Sequence, residues 1–157
     1  MRASPPEPSM TNDKDVSVLN GLIETTLDSM KGYEDAAKDA ESTQYATMFA
    51  DFARDRAKVA TDLQNQVRDL GGDPELNSSV LAAAHRTFMD LKQAITGKDD
   101  KAIIQEVERG EDHIKAKFED ALKQDDLSPA TLTAITTAFA SVREGHDKMS
   151  ALKHSVA

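Results

Sequence analysis

An arginine, a glutamate and a histidine each interrupt an apolar helical row, and these three side chains are the candidates for chemistry in this chain. Arg56 stands in the row Tyr45, Phe49, Phe52, Arg56, Val59, Leu63; Glu111 in Ile104, Val107, Glu111, Ile114, Phe118; His146 in Leu132, Ile135, Phe139, Val142, His146, Met149. A charge on a core-facing row must be paired or ligated, because burial strips its hydration. Two chemistries fit such a trio. One is a buried ion-pair network; the other is a reduced metal site at Glu111 and His146 holding iron or another divalent metal. Three environments are open to Glu111: a solvated edge position, an ion pair with Arg56 or Arg143, or a metal-ligand role. His146 is either a core histidine donating to Glu111 or a carbonyl, or a ligand. Arg56 is permanently cationic and repels a bound metal. The expected arrangement is therefore a buried polar network of Arg56, Glu111 and His146, with Arg143 and Tyr33 as further members and no metal cofactor.

Other groups carry weaker signals. His85 and His113 fall off their rows, and His154 lies where the last helix frays. Asp99-Asp100 reads as a helix start, since no calcium-loop spacing of oxygen ligands follows it. Glu106, Glu108, Asp112, Glu119 and Asp120 form an acidic face, interrupted by Lys115 and Lys117, that is expected to be solvated. Met30, Met48, Met89 and Met149 read as core filler. The chain has no GxSxG, phosphate-binding loop, HExxH or dinucleotide glycine pattern, so a non-enzymatic protein is expected.

Helices must position these groups. The first spans about 13–39, with Val16, Leu19, Ile23, Thr26, Met30, Tyr33 and Ala37 on one stripe; the second spans about 43–70 and stops at Gly71-Gly72 and Pro74. A third, shorter helix is expected over about 78–96 behind an Asn77 cap, with Leu81, Ala84, Phe88, Leu91 and Ile95 inward. A fourth runs over about 100–123, and a fifth from Ser128-Pro129 to about 153. Stripes averaging 3.5 residues indicate near-parallel helix packing. Two long hairpins joined by the short helix over about 78–96, an addition to the four long ones that carries the chain back along the bundle, give an all-α fold with ferritin-like four-helix-bundle connectivity. Counting from the first turn places Thr26 opposite Arg56, and leaning side chains bring Glu111 and His146 toward one another. Of the glycines inside helices, Gly110 and Gly145 are the candidates for close helix approach.

The 157 residues suit one domain over about 13–155, behind a disordered tail at 1–12. Only 4% of residues are aromatic, and there are seven Gly and five Pro, which favours long helices over a turn-rich sheet. A formal charge of −9 argues against nucleic acid as a partner. Zero cysteines excludes disulfides and thiolate chemistry. No apolar run reaches membrane-spanning length and residues 1–12 lack a secretory apolar region, so a cytoplasmic protein without a membrane partner is expected.

The segments VLNGLIETTLDSMKGYEDAAKDA, FARDRAKVATDLQNQVRDLGGDP, ERGEDHIKAKFEDAL and REGHDKMSALK resemble an uncharacterised bacterial group of ferritin-like four-helix-bundle proteins, distantly similar to rubrerythrin. The resemblance runs from about residue 14 to 153 and implies a helical bundle of undefined biochemical role, associated with stress. Metal-binding relatives carry a Glu on each of two helices and Glu-x-x-His on each of the other two. Against that pattern the first helix offers Thr26 and Met30, and the second Arg56-x-x-Val59 with Asp55-x-x-Lys58 beside it. Glu111 matches the third position, and the last helix reads Arg143-x-x-His146. Two of six ligands remain, so the resemblance implies a degenerate metal site. The expected function is a non-enzymatic binding or protective module, with a homodimer as a possible assembly. The alternatives are a metalloprotein handling iron or peroxide at Glu111 and His146, and a partner-binding adaptor.

Overall fold

The computed structural model describes residues 10–77 and 99–156. The expected helix over 78–96, with His85 and Met89, lies outside the described residues. Within them the chain forms four α-helices and no strand: α1 (Met10–Asp39), α2 (Thr43–Asp69), α3 (Asp100–Leu122) and α4 (Pro129–Val156). No helix among the described residues is long and apolar enough to cross a membrane.

Local chemistry sets the helix ends. Ser42 caps α2 by accepting the Tyr45 N–H, and Asp99 caps α3 by accepting from Ala102 at 3.0 Å. Gly71, at φ 82°, supplies the left-handed step that stops α2. Gly72 lets the chain pass Val16, whose methyl groups a Cβ would strike. The Asp15 carboxylate, fully buried, accepts from the backbone N–H and hydroxyl of Ser128 at 3.2 and 2.6 Å. That places negative charge at the positive end of α4.

These contacts also fix the directions. Asp15 and Lys14 at the start of α1 meet Ser128 and Asp126, beyond the end of α3. At the opposite end of the bundle the Asp100 carboxylate accepts the N–H groups of Glu41 and Ser42 at 2.8 and 2.9 Å. Gln66 near the end of α2 reaches Thr131 at the start of α4. Helices α1 and α2 are therefore antiparallel, as are α3 and α4, while α2 and α3 run the same way. The end of α2 and the start of α3 lie at opposite ends of the bundle. Each hairpin packs internally, α1 packs on α3 and α2 on α4, which leaves α2 and α3 facing each other across a diagonal.

The core falls into two apolar halves. One holds Leu19, Ile23, Leu63, Val67, Ile114, Phe118, Ile135 and Val142. The other holds Ala36, Phe49, Phe52, Ile103, Ile104 and Met149 around Tyr33. Between them lies one polar layer, and it contains the residues of interest.

Candidate functional site

Each helix contributes to that layer: Ser29 and Tyr33 from α1, Arg56 from α2, Glu111 from α3 and Gly145 from α4. Arg56 and Glu111 are each 1% exposed and Tyr33 is 2% exposed. Arg56 Nη2 lies 2.9 Å from both carboxylate oxygens of Glu111, so the ion pair spans the diagonal of the bundle. Nη1 donates to Ser29 Oγ at 2.8 Å. The guanidinium also sits 5.5 Å from the centre of the Tyr33 ring, in cation–π contact. Tyr33 in turn stacks on Phe52 and donates its hydroxyl proton to Glu111 Oε2.

These contacts answer the cost of burying charge. The carboxylate receives two donors, and the cation meets a carboxylate, a hydroxyl and a π face. Burial, the adjacent Glu111 charge and the hydrogen bond to it raise the Tyr33 pKa well above its ordinary value, against the opposing pull of Arg56. Tyr33 is thus a proton donor held shut in the protonated form. Gly145 makes room for the set. It is buried, and a Cβ there would collide with Arg56 Nη2 and lie 3.5 Å from Phe52. Gly110, the other candidate for close approach, is exposed, and a Cβ there would project into open space.

The structure brings Arg56, Glu111 and Tyr33 together, adds Ser29 and does not bring Arg143 or His146 to them. Arg143 is exposed, with its guanidinium 5.6 Å from the centre of the Phe139 ring. Thr26 is buried but donates to the Leu22 carbonyl instead of facing Arg56. The reason is directional: the Arg56 side chain leans toward the start of α2, and so toward later residues of antiparallel α1, where Ser29 stands.

His146 belongs to a second cluster, on the seam between α3 and α4. The row on α4 buries Val142, Gly145 and Met149, so His146 turns one residue away from the axis. Its side chain is 13% exposed; Nε2 lies 2.7 Å from Asp112 Oδ1 and Nδ1 lies 3.3 Å from Asp147 Oδ1. Burial alone would lower the His146 pKa, but the hydrogen bonds to Asp112 and Asp147 outweigh that effect and raise it. Glu108, expected on the solvated face, is instead buried at 8% exposure and accepts from Lys153 Nζ at 3.2 Å. The ligand atoms of Glu108, Asp112 and His146 lie within 4.8 Å of one another, making this a candidate metal-ligating set. His113 and His154 are exposed.

The core cluster offers little to a substrate. It has no nucleophile beside a free base, and its charged members are sealed behind the two apolar halves. The family model described as a domain of unknown function (DUF2383) matches residues 14–124. The chain belongs to that family. The match covers Ser29, Tyr33, Arg56, Glu108, Glu111 and Asp112, but ends before α4 supplies Gly145 and His146. No curated protein matches the chain.

Proposed function

We propose that this chain is a ferritin-like bundle, distantly related to rubrerythrin, in which a charge cluster takes the central position of a metal site. It acts without enzymatic chemistry, as a binding or protective module associated with stress in the bacterial cytoplasm. The observation that carries this reading is the Arg56 guanidinium at the bundle's mid-level, buried and held by Glu111 and Ser29. Ferritin-like metal sites are built from carboxylates and histidines projecting inward from facing helices. Here Glu111, the carboxylate that the described residues place beside the guanidinium, is spent on an arginine and a tyrosine. The helix directions add support, since parallel α2 and α3 require the single long crossover of ferritin-like folds.

Metal analysis of protein purified aerobically without chelators tests the reading. The expected result is no two-metal centre and no di-iron absorption band. Two metals per chain, lost on substitution of Glu111, would contradict it. The alternative iron- or peroxide-handling site at Glu111 and His146 is disfavoured by geometry, because the two side chains face different partners.

A further inference from the structure

We propose that Glu108, Asp112 and His146 form a site for one divalent first-row transition-metal ion on the α3–α4 seam, with Lys153 as its built-in competitor. The site is separate from the core cluster and does not depend on the reading of that cluster.

The placement follows from the helices. Glu108 and Asp112 are four residues apart on α3 and so share one face. His146 reaches them from α4, where buried Gly145 and Met149 set the rotation of the helix. Their ligand atoms already lie within 4.8 Å of one another. Metal–oxygen and metal–nitrogen bonds of about 2.0–2.2 Å put two ligands of one ion at most roughly 4.3 Å apart. Side-chain adjustments of under about 1 Å close that gap.

The histidine carries the independent argument. Both of its ring nitrogens face carboxylate oxygens: Nε2 lies 2.7 Å from Asp112 Oδ1 and Nδ1 3.3 Å from Asp147 Oδ1. Metal-ligating histidines characteristically hold the second ring N–H against a carboxylate, which fixes the tautomer and orients the ring. Asp147 supplies that partner. A metal ion entering between His146 and Asp112 takes the Nε2 lone pair, any proton there leaving to solvent, while Nδ1 keeps its proton and donates it to Asp147.

Charge distinguishes this place from the core. Arg56 is locked by its partners, whereas Lys153 is 43% exposed on its side chain and reaches Glu108 through a flexible stem. An incoming dication displaces Lys153 into water and takes over Glu108. One imidazole and two carboxylates suit zinc, manganese or ferrous iron; the imidazole disfavours calcium and magnesium. Three protein ligands leave at least one position open to water.

The test is equilibrium dialysis of the metal-stripped, full-length chain against zinc alone, with circular dichroism to verify folding of each variant. Saturable binding of one zinc per chain is expected, weakened by about tenfold or more in His146→Ala. Asp112→Asn weakens it too, Lys153→Met tightens it, and His113→Ala and His154→Ala leave it unchanged. Absence of saturable binding, or binding that His146→Ala leaves intact, overturns the site. Failure of Lys153→Met to tighten binding overturns the competitor role. Metal lost in Glu111→Leu but not in His146→Ala would overturn the seam site and contradict the proposed core function as well, whereas absence of saturable binding overturns the seam site alone.

Discussion

Glu111 and Asp112 are adjacent on α3, yet one is sealed at the bundle axis and the other stands in water. Around Glu111 every contact is short, internal and spread over several helices. Around Asp112 the partners are His146, Glu108 and, through Glu108, a half-exposed lysine. The ingredients are similar: acids, a base and a hydrogen-bonded proton. What differs is access. A buried pair cannot exchange a partner without leaving a bare charge in a low-dielectric interior, so the core cluster is a structural commitment. The seam cluster can swap one cation for another, so it retains binding chemistry.

The largest expected effect is at the core. Arg56→Met or Glu111→Leu alone should each lower unfolding free energy by roughly 3–5 kcal/mol, because each strands the other charge. Urea denaturation checks this. Gly145→Ala should cost roughly 1–3 kcal/mol by driving a methyl group into the held guanidinium. Gly110→Ala has open space and should instead gain up to about 1 kcal/mol from helix propensity. Equal effects at the two glycines would break the distinction between the regions.

Tyr33→Phe removes one donor from the Glu111 carboxylate and should cost about 1–3 kcal/mol. Tyr33 also predicts a pH dependence. Its pKa is raised on folding, so above about pH 10 the unfolded chain loses the phenolic proton first and stability falls as pH rises. Urea midpoints compared at about pH 9 and about pH 11 should drop less in Tyr33→Phe than in the parent. An equal drop in both would place the Tyr33 hydroxyl in contact with water. The smallest effect belongs to the seam: in metal-free protein, Asp112→Asn should change stability by less than about 1 kcal/mol. A larger loss there would mean that the seam, too, is structural.

Much of this was legible in the sequence, and the gaps have specific causes. The four long helices announce themselves through apolar spacing, Gly71, Asp99 and Ser128-Pro129. Arg56 and Glu111 stand out because every neighbour in their rows is bulky and apolar. Gly145 was hidden as a row member, because a residue without a side chain adds nothing to a hydrophobic stripe. Reading His146 in its place turned the helix by one position and aimed the imidazole at Glu111 rather than Asp112. Glu108 was hidden for the opposite reason: among the five acids of one helix face, charge alone does not show which one finds a lysine from α4. Ser29 lies off the α1 stripe and is reached only because a long arginine leans toward the hairpin turn. Nothing about residue type marks it.

The most direct measurement of the central claim is a double-mutant cycle on Arg56 and Glu111 by urea denaturation. Arg56→Met with Glu111→Leu should be far less destabilised than the sum of the two single variants, with a coupling energy of roughly 2–5 kcal/mol, since the pair is removed together and apolar groups take its volume. Coupling near zero, with each single variant within about 0.5 kcal/mol of the parent, would mean that both groups are solvated and that no buried charge cluster occupies the centre of the bundle.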